Sequence, residues 1–137
     1  MKSNSILFAA GLLAVLPAVA HAKIERVVEK TFSVQPNGLL TVETQGGNVR
    51  VDTGAENSVK VVAKQTIKAD SEAEADELLK NLTLTIEQSA EGVSAISKYE
   101  KRLSGFHWGS WPPVQVSFVV TVPTQYNVRL QTSGGNI

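Results

Sequence analysis

The residues best equipped for chemistry or binding lie close together, between residues 104 and 113. This stretch holds both tryptophans of the chain, Trp108 and Trp111, together with Phe106 and His107. Tryptophan faces stack on sugars and anchor protein interfaces, so these side chains are the candidate contact site for a glycan or protein partner. The alternative is that both indoles fold inward, because a small domain without cysteine needs its large apolar side chains in the core.

A hydrolase is the alternative function that the same stretch permits. His107 has serines on either side, Ser104 and Ser110. A serine nucleophile needs a base within hydrogen-bond reach and a further group that orients this base. The spacing identifies no carboxylate for that second role. We therefore predict that the chain has no catalytic residues and is not an enzyme.

Composition excludes several other kinds of site. The chain has no cysteine and two histidines, and one of these, His21, lies within the first 22 residues. Thiolate and multi-histidine metal sites are therefore excluded, and we predict no metal and no cofactor. The 13 basic and 13 acidic residues cancel, which argues against nucleic-acid binding because such binding depends on neutralising phosphates.

The N-terminal residues have the plan of a secretory signal peptide. Lys2 precedes a mostly apolar run over residues 6–16, and Ala20-His21-Ala22 forms a small-x-small cleavage motif. The run is shorter than the about 20 apolar residues of a membrane-spanning helix, so we predict cleavage after this motif and no retained span. Residues 1–22 are assigned as signal peptide and residues 23–137 as one β-rich domain, exported to the periplasm or cell surface.

Apolar and polar residues alternate over most of this domain, which is typical of half-buried β-strands. The alternating segments begin near Ile24, Leu40, Val59, Leu82, Val93 and Val114. The segments from Leu82 and Val93 are predicted to form a hairpin through a turn at residues 89–92. The segment from Val59 carries Lys60, Lys64 and Lys68 on its polar side, which we interpret as a solvated face or a protected sheet edge.

One helix is predicted between the strands. Ser71 and Glu74 have the spacing of a capping box, in which the serine hydroxyl accepts an N–H bond and the carboxylate reaches back to the cap. Ala75, Leu78 and Leu79 follow at helical spacing. The acidic residues of the first turns suit the positive end of the helix dipole, so we interpret them as exposed helix surface and not as a metal or acid–base site.

Two glycine pairs follow strand-like segments. Gly46-Gly47 separates Leu40 and Val42 from Val49, and Thr132-Ser133-Gly134-Gly135-Asn136 repeats the pattern after the last segment. A Gly-Gly pair can close a β-hairpin, which would make its flanking strands antiparallel neighbours. It can also form the corner of a β-solenoid coil, where close backbone approach excludes side chains. The sequence leaves both interpretations open.

In these features the chain resembles the bacterial putative-adhesin family, a group of exported β-strand-repeat domains. The resemblance covers nearly all of the domain and rests on residues 30–34 with Gly38, 40–51, 71–79, 116–123 and 132–137. It implies a β-solenoid or prism-like stack of strands that continues through further Gly-Gly coils, and therefore a chain shortened at its C-terminal side. The family has no agreed catalytic motif, so no functional residue is carried over.

The expected fold is mainly β with one short helix, as a β-solenoid or prism-like strand repeat. The alternative is an antiparallel β-sheet or sandwich with the helix packed on it. The expected function is that of a non-enzymatic, exported cell-envelope module with an adhesin-like binding or scaffolding role toward a glycan or protein. Because an end coil lacks a neighbour to cover it, the chain alone should be marginally stable or prone to aggregation.

Overall fold

The computed structural model describes residues 23–54, 56–100 and 112–137, and strands dominate this part of the chain. The elements in order are β1 (Lys23–Ser33), β2 (Leu39–Thr44), β3 (Val49–Thr53), β4 (Ser58–Lys68), α1 (Glu72–Leu79), β5 (Leu82–Gln88), β6 (Gly92–Tyr99), β7 (Val114–Val122) and β8 (Asn127–Thr132). None of the helices in the described ranges is long and apolar enough to span a membrane. The prediction of a mainly β domain with one short helix is confirmed.

The strands form two four-stranded sheets, ordered β1-β4-β7-β3 and β5-β6-β2-β8. The pairs β1–β4, β4–β7 and β5–β6 are antiparallel, as predicted for the β5–β6 hairpin. The pairs β2–β6, β2–β8 and β3–β7 are parallel. This architecture matches the alternative of two sheets with a helix, although the sheets are mixed and not wholly antiparallel.

The core lies between the two sheets, because each strand directs every second side chain inward. In β7 the alternate residues of Val114–Val122 are buried, as the alternating sequence predicts. Phe118 is the largest fully buried side chain, and it belongs to one cluster with Val61 of β4 and Leu40 and Val42 of β2. Apolar side chains from both sheets therefore meet in one main cluster between the sheets.

The lysine-bearing strand β4 is an interior strand, since β1 and β7 flank it on either side. The interpretation as a protected sheet edge is therefore wrong, and the interpretation as a solvated face holds. Lys60 pairs with Glu29 at 3.2 Å and Lys64 pairs with Glu25 at 3.1 Å, across the β1–β4 ladder. All four side chains are about half exposed, so these pairs lie in water on the outer face of the sheet.

Helix α1 begins at the predicted cap. The Ser71 hydroxyl accepts a hydrogen bond from the amide of Glu74 at 3.2 Å. The Glu74 carboxylate accepts from the amide of Asp70 at 2.9 Å, one residue before the cap, so the capping box is shifted by one position. Ala75 is the one buried residue of α1, and it packs in a second small cluster with Ile67 and Tyr99.

The Gly46-Gly47 pair carries the chain from one sheet to the other. Strand β2 belongs to the sheet with β6 and β8, whereas β3 belongs to the sheet with β4 and β7. The hairpin interpretation of this pair is therefore wrong, because β2 and β3 are not hydrogen-bonded neighbours. Gly46 has φ +74°, in the left-handed region that favours glycine, so the pair supplies the sharp change of direction at this corner.

Candidate functional site

The side chains predicted to contact a partner, Phe106, His107, Trp108 and Trp111, lie outside the described residues. The serines of the hydrolase alternative, Ser104 and Ser110, lie outside them as well. Neither interpretation is tested by the geometry, and both stay predictions. Among the described residues no group of three or more His, Cys, Asp or Glu side chains is placed to hold a metal ion.

Side chains bridge the two sheets at the end formed by the edge strands β1 and β5, which we call the closed end. Lys30 Nζ of β1 donates to the carbonyl oxygen of Ile86 in β5 at 3.3 Å. Gln88 Nε2 of β5 donates to the carbonyl oxygen of Ser33 in β1 at 2.6 Å. Two side-chain hydrogen bonds therefore join the edge strands of the two sheets at this end.

Helix α1 is also fixed to this end of the molecule. Arg26 of β1 forms ion pairs with Glu72 and Asp76 of α1, both at 2.8 Å. The hydrogen bonds to Glu72 and then Asp76 raise the pKa of Arg26 above its already high ordinary value. The guanidinium therefore remains charged at any pH at which the protein folds.

The opposite end, formed by the edge strands β3 and β8, is the candidate site, and we call it the open end. Val128 of β8 stands beside the fully buried Leu40 on the inward face of its sheet, yet it is 47% exposed. Leu130 beside Val42 and Val51 of β3 are inward-facing in the same way and only partly buried. The apolar layer between the sheets thus reaches solvent at this end.

Two corners lie at one side of the open end, the β2 corner (residues 44–48) and the β8 corner (residues 132–136). The β2 corner rests on β7 through three hydrogen bonds. Thr44 Oγ1 donates to the carbonyl of Val116 at 2.6 Å. The amide of Asn48 donates to Ser117 Oγ at 3.1 Å, and the Asn48 carbonyl accepts from the amide of Phe118 at 2.9 Å.

The β8 corner rests on the β2 corner through the same three hydrogen bonds. Thr132 Oγ1 donates to the carbonyl of Gly47 at 2.8 Å. The amide of Asn136 donates to Asn48 Oδ1 at 2.9 Å, and the Asn136 carbonyl accepts from the amide of Val49 at 2.9 Å. The geometry of one corner is therefore repeated by the next.

Glycine is required where one corner crosses the layer beneath it. A Cβ atom on Gly47 would lie 1.9 Å from the carbonyl oxygen of Val116, and a Cβ on Gly135 would lie 1.9 Å from the carbonyl oxygen of Gly47. These are backbone atoms that cannot turn aside as a flexible side chain would. A Cβ on the neighbouring Gly134 would approach only Gly46, at 3.6 Å, which is ordinary van der Waals contact.

The sequence identified part of this site. The repeated Thr-x-Gly-Gly-Asn pattern marks both corners. Its threonine and asparagine form the hydrogen bonds that join each corner to the layer beneath it. The exposure of Val128 and Val51 was missed, because alternation shows which side of a strand faces inward but not whether another strand covers it.

No protein-family model matches the chain, and no curated protein matches it. It is similar to the solved structure of a putative adhesin from Bacteroides fragilis NCTC 9343, with TM-score 0.40 and 10% identity over 80% of this chain and 41% of that one. It is also similar to a putative cell adhesion protein from Clostridium sporogenes ATCC 15579, with TM-score 0.40 and 11% identity over 78% of this chain and 48% of that one.

A putative adhesin from Parabacteroides merdae ATCC 43184 gives TM-score 0.34 and 8% identity over 81% of this chain and 37% of that one. The chain spans less than half the length of each of these three structures. Similarity of this extent carries no functional argument.

Proposed function

We propose that this chain is a non-enzymatic module of the bacterial cell envelope, exported through the signal peptide at residues 1–22, with an adhesin-like binding or scaffolding role. The observation that carries the proposal is the open end. Among the described residues, one corner repeats the hydrogen bonds of another there, and apolar side chains of both sheets are partly exposed. A surface of this kind suits a module that is extended by further β-structure.

The finer architecture that we propose is a β-solenoid or prism-like stack, in which further coils follow the β8 corner. The support is the repetition of the same hydrogen bonds from β7 to the β2 corner and from there to the β8 corner. In repeat architectures each unit buries its face only against its neighbours, and long stacks present extended binding surfaces. The added coils would cover Val128, Leu130 and Val51.

The contact site that we propose for the partner is the aromatic stretch with Phe106, His107, Trp108 and Trp111. The proposed partner is a glycan or protein of the envelope or surface, because exposed indole rings bind both by stacking and by burial of a large area. None of the observations on the described residues favours a hydrolase.

Export and partner binding are tested separately on the full chain expressed in a bacterium. Mass spectrometry of the periplasmic protein should find Lys23 as its first residue, and retention of residues 1–22 would contradict the export proposal. The exported protein is then applied to a glycan array and to envelope fractions. A Trp108→Ala/Trp111→Ala variant should lose binding without a change in its unfolding temperature.

The control for this test is Lys60→Ala, a change on the solvated outer face of β4, which should bind as the parent does. Tryptophan fluorescence gives an independent check, because contact residues should be accessible to a soluble quencher. Indoles that are shielded from the quencher would contradict the contact site. Hydrolysis of an envelope substrate that is lost in His107→Ala would instead establish the enzymatic alternative.

A further inference from the structure

We propose that α1 is the positioning element of the aromatic stretch, because α1 and the chain on either side of that stretch form one unit that opens separately from the main core. The inference rests on the proposed function, since it concerns the site proposed there for partner contact. The described residues that carry it flank residues 101–111, and we call them the stems: residues 99–100 and residues 112–114.

Backbone hydrogen bonds join each stem to one end of the connection that contains α1. The amide of Lys68, the last residue of β4, donates to the carbonyl of Pro113 at 3.0 Å. The amide of Glu100 donates to the carbonyl of Asn81, two residues after α1, at 2.9 Å. This connection therefore starts at one stem and finishes at the other, so a shift of α1 is passed to both stems.

The stems and α1 also bury their apolar side chains together. Tyr99 of the first stem and Val114 of the second both belong to the second small cluster. Ala75 of α1 lies in the same cluster and is fully buried. Leu78 and Leu79 of α1 pack against it and are partly buried. The apolar contacts of the stems are therefore contacts that α1 completes.

Polar side chains separate this second cluster from the main one. Along β4 the inward residues are Ala63 of the main cluster, then Gln65, then Ile67 of the second cluster. Along β6, Ser97 precedes Tyr99 in the same way. Gln65 and Ser97 are 8% and 3% exposed, so polar groups occupy the buried positions between the clusters. A unit with few apolar contacts to the rest opens at a lower free energy than the whole molecule.

The test uses the two tryptophans of the chain, which both lie in the aromatic stretch, so that tryptophan fluorescence reports on this stretch alone. Fluorescence anisotropy of the indoles in the full chain measures how firmly the stretch is held. The helix variant is Ser71→Ala/Ala75→Gly, which removes the cap of α1 and a strongly helix-favouring residue. It should accelerate amide exchange in α1 at least about tenfold and lower the anisotropy.

The matched control is Val61→Ala, which leaves a cavity in the main cluster, where Val61 is fully buried. It should lower the unfolding temperature at least as much as the helix variant does. The anisotropy and the exchange of α1 should nevertheless stay as in the parent. An equal fall of anisotropy in both variants would overturn the inference, because general destabilisation would then be the cause.

The reciprocal variant is Glu100→Pro, which changes a stem and leaves the sequence of α1 intact. Proline lacks the amide that donates to Asn81, and Glu100 is an exposed residue just after β6. If stem and helix open as one unit, loss of this hydrogen bond should accelerate exchange in α1 at least about threefold. Unchanged exchange in α1, or unchanged anisotropy in the helix variant, would overturn the inference.

Failure of this inference is distinguishable from failure of the proposed contact site. If the parent binds the glycan array through its tryptophans while the helix variant keeps the anisotropy of the parent, the positioning role of α1 is wrong and the contact site stands. If the anisotropy falls as expected but replacement of both tryptophans leaves binding unchanged, the contact site is wrong and the positioning role stands.

Discussion

Gly47 is the residue on which the stacking of the corners depends most directly. Its Cα lies against a backbone carbonyl of β7, so no rotamer change can make room for a methyl group. We expect Gly47→Ala to lower the free energy of unfolding by about 3 kcal/mol, through displacement of the backbone at the corner. Chemical denaturation followed by circular dichroism measures the loss.

The matched control for this prediction is Gly134→Ala. Its added Cβ would meet only ordinary van der Waals contact at 3.6 Å, so the change should be within about 0.5 kcal/mol. Equal losses in the two variants would show that close approach is not the reason for the glycine at position 47.

Tyr126 gives a prediction about pH. Its ring lies against Gly38, and its hydroxyl oxygen is buried without a hydrogen-bond partner in the described ranges. Burial raises the pKa of the Tyr126 phenol, because it disfavours the phenolate. Because the pKa of this phenol is higher in the folded state, its contribution to the free energy of unfolding is fully present below the ordinary pKa of about 10. That contribution is lost as the pH rises through the folded value.

The variant Tyr126→Phe should therefore lose less stability than the parent as the pH is raised above about 10. At pH 7 its free energy of unfolding should be unchanged or higher by up to about 1 kcal/mol, since it buries no unpaired hydroxyl. Urea denaturation at a series of pH values measures both effects. If the free energy of unfolding falls equally with pH in the parent and in Tyr126→Phe, burial of the Tyr126 phenol is not the cause of the alkaline loss of stability.

At the scale of the elements, helix α1 depends on its cap more than on burial. Ala75 is its one buried residue, and the last turn has no basic side chain to complement the helix dipole. We expect Ser71→Ala to cost about 1 kcal/mol of stability, because the amide of Glu74 loses its acceptor. Ser71→Thr keeps a hydroxyl at the cap and should cost less.

Amide hydrogen exchange distinguishes a local from a global effect of this substitution. Exchange should accelerate in residues 72–79 of Ser71→Ala, while β4 and β7 remain protected to the same extent as in the parent. Unchanged exchange in α1 would show that the Arg26 ion pairs, and not the cap, hold the helix in place.

The elements themselves could largely be predicted from the sequence, whereas their pairing could not. Alternation identified β7 and the β5–β6 hairpin, and the Ser71 cap identified the start of α1, because these signals are local. The lysines of β4 suggested an edge strand, yet β1 and β7 enclose it, because polarity on one face does not report the neighbours within the sheet. The parallel pairs of β2 join segments far apart in the chain, which no local pattern encodes.

At the scale of the whole molecule, the described residues form one closed end and one open end, and we expect association between copies of the chain to involve the open end. Val128→Lys places a charge on the uncovered inward face of β8, where charged side chains oppose edge-to-edge association. We expect this variant to contain less aggregate than the parent in sedimentation velocity. Its stability should change by less than about 1 kcal/mol, because Val128 is already 47% exposed.

Val27→Lys is the control for that experiment. Val27 is more exposed, at 61%, but it lies on the outer face of β1 at the closed end. Its replacement should leave the aggregate fraction unchanged. A comparable reduction in both variants would show that general surface charge, and not the open end, governs association.

The position of β2 has a consequence for the time course of folding. Leu39 pairs with Gly92 on one side and with Asn127 on the other, so both neighbours of β2 are synthesised long after β2 itself. Folding dominated by such distant pairings is slow, because the chain must close large loops before any contact forms. Strand β2 therefore has no partner within its sheet until β6 has been synthesised, and its second neighbour β8 follows later still. Such a delay would suit the export that we propose, because the chain would still be unfolded at that stage.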